Sequence, residues 1–97
     1  MKAQEDFRKF VSLLYEMYRE GMTVIDEKKE YAGRHISIKM LRDAKRVLAP
    51  RQKQAFDLVF EKGMKQQDAA DEMKMAQPNI VRYTSTALSK MRGYLFK

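Results

Sequence analysis

Cysteine is absent from these 97 residues, and there is one histidine, with two prolines and four glycines. Without cysteine there are no disulfides, thiolate metal sites or cysteine nucleophiles, which suits a reducing compartment. With His35 alone, a multi-histidine metal centre is excluded. No apolar run approaches the roughly 20 residues that span a bilayer. Acids stand in MKAQEDFRKF where a signal peptide would begin its apolar stretch. A soluble, cytoplasmic protein with no membrane partner is expected. A Gly-rich phosphate loop and a Gly-flanked serine nucleophile are also missing. Asp68, Asp71 and Glu72 fall on a hydrophilic helix face, where solvation accounts for them better than metal binding or acid–base work. No enzymatic activity and no cofactor is expected.

What is there is basic. Twenty Lys and Arg against 13 Asp and Glu give a net charge of +7. Such a surplus favours a polyanionic partner, nucleic acid or an anionic surface. It is shared between residues 1–47, at net +3, and 48–97, at net +4. The placement is more telling than the sum, because every acid of the second half precedes Gln77. Hydrophobic content of 44% excludes compositional disorder, and the length suits one small domain.

The apolar spacing is helical almost throughout. Phe7, Phe10, Val11, Leu14, Met17 and Tyr18 repeat at three and four, predicting a helix from an Asp6 cap to a Gly21 stop. Core packing is the simpler use of that face; a partner or homodimer surface is the alternative, since aromatics and Met are enriched at interfaces. Thr23 to Ala32 reads as a second short helix ended by Gly33, although Val24-Ile25 also suits an extended segment. Ser37 is a suitable N-cap for a helix whose period is Ile38, Leu41, Ala44, Val47 and Leu48. Arg42, Lys45 and Arg46 cluster on another side of it, as a solvated basic face. Pro50 breaks the pattern at Ala49. A helix follows from about Arg51 to Lys62, burying Ala55, Phe56, Val59 and Phe60 and ending at Gly63. The expectation is an all-α fold: a small helical bundle of five or six helices, divided into an N-terminal helical region (1–47) and a C-terminal region (48–97).

The stretch from Gln66 to Thr86 organises the rest. It predicts a helix carrying Ala69, Ala70 and Met73 inward, a tight turn, and a second helix opening at Gln77-Pro78. Proline suits a first helical turn, where its missing N–H has no intrahelical partner. Ile80, Tyr83, Ala87 and Met91 form one apolar stripe; Val81, Arg82, Ser85 and Lys90 lie elsewhere. From Gln77 to Lys97 there are four basic residues and no acid. A helix with one apolar face and one basic, amide-rich face suits a DNA major groove. A plain helical hairpin within a core is the bland alternative.

The ordered set of elements from Leu48 onward resembles region four of bacterial sigma factors. It comprises Leu48-Ala49-Pro50-Arg51-Gln52, then Ala55-Phe56-Asp57-Leu58, Gly63-Met64, Ala69-Ala70, Ile80 and the closing Ala87-Leu88-Ser89-Lys90-Met91-Arg92. The likeness covers about half the chain without gaps. It departs from that pattern at Lys74, where a turn Gly is usual, and at Ala76, where a Ser or Thr usually caps the recognition helix. The base-reading set also differs from that of primary sigma factors. Residues 1–47 hold no counterpart of sigma region two, so the chain is more similar to small sigma-like regulators of phages and prophages.

The resemblance implies a helix-turn-helix that binds double-stranded DNA and contacts bacterial RNA polymerase. Gln77 and Asn79 would read adenine, Arg82 guanine, and Val81 a thymine methyl, with Pro78 opening the reading helix. Arg51, Lys65, Ser85 and Lys90 would lie nearer phosphates. The helix from Arg51 to Gly63 corresponds to the surface by which sigma region four grips polymerase; Phe56 and Phe60 are its candidate partner-binding residues, with core packing the alternative for both. Two other functions fit the same pattern: the DNA-recognition module of a phage packaging machine, akin to a small terminase subunit, and a polymerase-binding mimic without DNA specificity.

Overall fold

The computed structural model describes residues 2–97. Helix α1 spans Lys2–Arg19. Its buried residues Phe7, Val11, Leu14 and Tyr15 fall at spacings of four, three and one, so a single face turns inward. The helix begins before Asp6, which is exposed within it and does not cap it. It stops where expected. Gly21 takes φ +75°, its amide donates to the Tyr18 carbonyl at 3.1 Å, and the Met22 amide reaches the Met17 carbonyl at 2.8 Å. That pair of bonds satisfies carbonyls the helix leaves open.

The expected second helix is not formed. Residues 23–28 are irregular, with the Thr23 hydroxyl donating to Glu27 at 2.8 Å. Strands β1 (Lys29–Tyr31) and β2 (Arg34–Ile36) then pair antiparallel, Tyr31 opposite Arg34 and Lys29 opposite Ile36. The two loop residues, Ala32 at φ +52° and Gly33 at φ +79°, are both left-handed, which matches the twist of a two-residue hairpin and interrupts a helix. The fold is mostly helical, as expected, with this one short hairpin in place of the second helix. Tyr31 anchors the hairpin, its ring 5.5 Å from Phe7, 5.0 Å from Phe10 and 5.9 Å from Phe96.

Helix α2 (Ile38–Ala44) starts at Ser37, whose hydroxyl accepts from the Met40 amide at 3.2 Å. A 3-10 turn over Lys45–Val47 leads to extended Ala49 and then to α3, Pro50–Phe56. The helical path continues past α3, but over Asp57–Glu61 it widens to π geometry, with the Lys62 amide reaching back to Asp57. Gly63 closes it at φ +73°, beneath the Arg19 guanidinium. A Cβ at Gly63 would lie 2.7 Å from that group, so only glycine fits without moving Arg19. The same guanidinium donates to the Phe60 carbonyl. Helices α4 (Gln66–Glu72) and α5 (Gln77–Leu95) complete the chain.

The main core joins Phe7, Leu14 and Tyr15 of α1, Ile36 of β2, Leu41 of α2, Phe56 and Phe60, and Leu88 and Met91 of α5. It draws on both sides of position 48, so residues 1–47 and 48–97 share it. A smaller core of Ala55, Leu58, Ala69, Ala70, Met73 and Ile80 packs α4 against α3 and the start of α5.

One polar cluster ties α2 to the π segment. Glu61 accepts a two-pronged contact from Arg42, at 3.1 and 3.0 Å, and further bonds from Tyr15 at 3.0 Å and Lys45 at 3.3 Å. Burial pushes the Glu61 carboxyl up, but the bonds from Arg42 and Tyr15 and the charge of Lys45 outweigh it and hold the group below the usual range. Burial, reinforced by the neighbouring Glu61 charge, raises the Tyr15 hydroxyl far above its ordinary value. No described helix is long and apolar enough to cross a membrane. Among the described residues no three His, Asp or Glu side chains group to hold a metal.

Candidate nucleic-acid interface

Helix α4, a turn over residues 73–76 and α5 follow one another, at the positions where the sequence predicts two helices and a tight turn. Ala69 and Ala70 are fully buried; their small side chains let α4 lie close to its neighbours. The turn is closed by bonds from Lys74 to Asp71, at 3.2 Å, and from Met75 to Ala70, at 2.9 Å. Lys74 takes φ +56°, the conformation that glycine adopts at least cost. Ala76 is the N-cap residue of α5 and offers no side-chain cap, while Pro78 occupies the first turn.

Ile80, Thr84, Ala87, Leu88 and Met91 are the buried stripe of α5. Thr84 is admitted because its hydroxyl donates to the Ile80 carbonyl at 2.9 Å, leaving no unpaired buried donor. Opposite this stripe lie exposed Pro78, Arg82 and Ser89. Burying one stripe against α1, α2, α3, α4 and the 3-10 turn leaves the other projecting, and that exposed stripe carries no acid.

The fold gathers five of the predicted residues at the start of α5. Gln77, Pro78, Val81 and Arg82 are exposed and Asn79 is half-buried. Arg82 donates to the Asn79 side-chain oxygen at 2.9 Å, so these two side chains form one unit. Gln77 donates to Gln66 of α4 at 3.4 Å, a long bond that leaves it readily redirected. Lys65 is exposed just ahead of α4, and Arg51 is exposed in the first turn of α3. The Lys90 ammonium donates to the side chain of Gln52, the neighbour of Arg51, at 3.0 Å.

Other predicted positions are placed differently. Phe56 is fully buried and Phe60 is 3% exposed, their rings 4.8 Å apart in the core, so neither presents a surface to a partner. The partner-binding reading of both is corrected: core packing uses them up. The apolar face of α1 is likewise spent inside the same chain, which removes the motive for a homodimer through it. Ser85 is half-buried, and its carbonyl accepts from Gln4 of α1 at 2.7 Å. α1 therefore lies alongside the middle of α5 near Ser85, while the first turns of α5 stay open. That neighbour was missed from the sequence; the signal was the polar run Gln4, Arg8, Ser12 at intervals of four beside the apolar face.

No protein-family model matches the chain, and no curated protein matches it.

Proposed function

We propose that this protein is a sequence-specific double-stranded-DNA-binding transcription regulator of sigma-like type that also contacts bacterial RNA polymerase. The observation that carries the reading is the projecting start of α5, where Gln77, Asn79, Val81 and Arg82 cluster on a helix free of acids. Those side chains match what base edges offer in a major groove: amides for adenine, guanidinium for guanine, an aliphatic group for the thymine methyl. The cations Lys65 ahead of α4, Arg51 at the start of α3 and Lys90 further along α5 fix register through phosphates. The polymerase contact is carried by the resemblance from Leu48 onward, with exposed rather than buried residues of α3 as its means.

The test is a selection of genomic DNA fragments by the purified protein, with and without RNA polymerase. Enrichment of one short sequence by the protein alone supports the reading. Binding should weaken linearly in log affinity against log salt, with a slope near 0.9 per phosphate contacted. Capture of polymerase without any DNA selects the mimic instead. A large ring-shaped oligomer that enriches one sequence selects the packaging role.

A further inference from the structure

We infer that α1 carries a second phosphate-contacting surface, centred on Arg8, beside the part of α5 that enters the groove. The inference rests on the DNA-binding reading above. Two surface grooves meet at Arg8. One lies between α1 and the approach to α4, where Arg8, Ser12, Lys65 and Gln66 line it; the other lies between α1 and the middle of α5, where Gln4, Arg8 and Ser85 line it. A single guanidinium thus borders both helices of the helix-turn-helix.

Its surroundings favour an anion. Arg8 and Lys65 are exposed, and neither makes an ion pair among the described residues. Lys9 also lines the first groove, where Glu16 is the one acid among the lining residues. Glu5, at the second groove, faces Lys9 at 3.7 Å. Arg8 is also held in place. Phe7 and Val11 are fully buried on the same helix, and Gln4 fastens that helix to the Ser85 carbonyl. The backbone that carries Arg8 therefore stands at a fixed offset from α5, on a packed helix rather than a loose arm.

The docking geometry of a helix-turn-helix supplies the ligand. When the second helix enters the major groove, the first helix crosses the sugar–phosphate backbone. Here the start of α4, at Lys65 and Gln66, meets that strand, and Arg8 across the groove from them meets the same strand's phosphates. A planar guanidinium suits this, since its paired N–H groups match two phosphate oxygens. Such a contact anchors without reading sequence.

The experiment uses the full chain and a mixed-sequence duplex alongside the sequence enriched by the genomic selection. Arg8→Ala should weaken binding to both by the same factor and lower the salt slope by about one. Arg8→Lys should restore the slope. Lys28→Ala removes an exposed cation outside both grooves and should leave the slope unchanged. Circular dichroism and the melting midpoint of Arg8→Ala should match the parent, because its side chain is exposed. If Arg8→Ala keeps the parent slope while Arg82→Ala loses selectivity, the α1 surface is overturned and the DNA-binding reading stands. An equal fall in slope for Lys28→Ala overturns it too, as general charge loss. A parent protein that binds neither duplex at low salt overturns both.

Discussion

The Met75 amide donates to the Ala70 carbonyl at 2.9 Å across Lys74, which sits at φ +56°. This bond closes α4 and sets the angle at which the chain enters α5, yet the residue beneath it bears a Cβ. A left-handed non-glycine residue costs roughly 1–2 kcal/mol.

Lys74→Gly should therefore stabilise the protein by about 1 kcal/mol, less the backbone entropy that glycine adds to the unfolded chain. Ala76→Ser should add about 1 kcal/mol by supplying the cap that α5 lacks. Thermal unfolding checks both, with about 4–8 °C expected per kcal/mol at this size. A melting midpoint lowered by Lys74→Gly would mean that the Lys74 side chain contributes more than its backbone costs.

These two positions also mark how far the sequence was legible. Lys74 and Ala76 stand out as departures from the pattern that the chain resembles, with its turn Gly and its Ser or Thr cap, and the structure has the left-handed turn and the uncapped start those departures imply. The apolar periods of α1 and α5 were equally plain, since both bury one continuous stripe. The hairpin was not. Its strands, Lys-Glu-Tyr and Arg-His-Ile, are three residues each, too short to show alternation. Gly33 reads as a helix stop until Ala32 is seen to share its positive φ. The π segment left no trace in composition, because Asp57–Glu61 carries an ordinary helical pattern. Within the candidate site, the exposed start of α5 was legible from periodicity. The Arg82–Asn79 pair and the flanking α1 were not, because one depends on rotamers and the other on tertiary packing.

Leu14→Ala should cost roughly 2–5 kcal/mol. Leu14 is 2% exposed among core residues drawn from α1, α2, α3 and α5. Its removal leaves a cavity that several rigid elements must collapse to fill. Chemical denaturation gives the value; a loss below 1 kcal/mol would place that face of α1 outside the core and revive it as an interface.

Acid should weaken the fold through Glu61. Its carboxyl is held below the ordinary value of 4.5, against the pull of burial, by Arg42, Tyr15 and Lys45. A carboxyl lowered in the folded state contributes stability that is fully present above its unfolded value and is lost as pH falls through the folded value. The loss should thus begin as pH drops below 4.5. Asp57 lies 2.7 Å from the Lys45 ammonium, on the same network. Glu61→Gln should lower stability at neutral pH and flatten its fall between neutral and acidic pH. Parallel stability–pH curves for parent and variant would assign the acid transition to other carboxyls.

On the proposed DNA-binding function, variants of Arg82 and Lys90 should separate reading from anchoring. Arg82 is exposed one turn into α5 and points its guanidinium at Asn79, so the pair presents a donor fork beside an amide. Arg82→Ala should weaken binding to the selected sequence by about 1–3 kcal/mol and relax one base preference. Because the two side chains touch, Asn79→Ala and Arg82→Ala should be non-additive, coupled by about 0.5–3 kcal/mol in a double-mutant cycle. Lys90 lies two turns further on, bonded to Gln52 at the start of α3. Lys90→Ala should weaken binding to every duplex alike and lower the salt slope by about one. If Arg82→Ala also acts uniformly on all sequences, Arg82 is a phosphate contact, and selectivity rests with Gln77, Asn79 or the shape of the DNA. Additive single changes would mean that the Arg82–Asn79 bond is not kept when DNA is bound, and that each side chain reads its base alone.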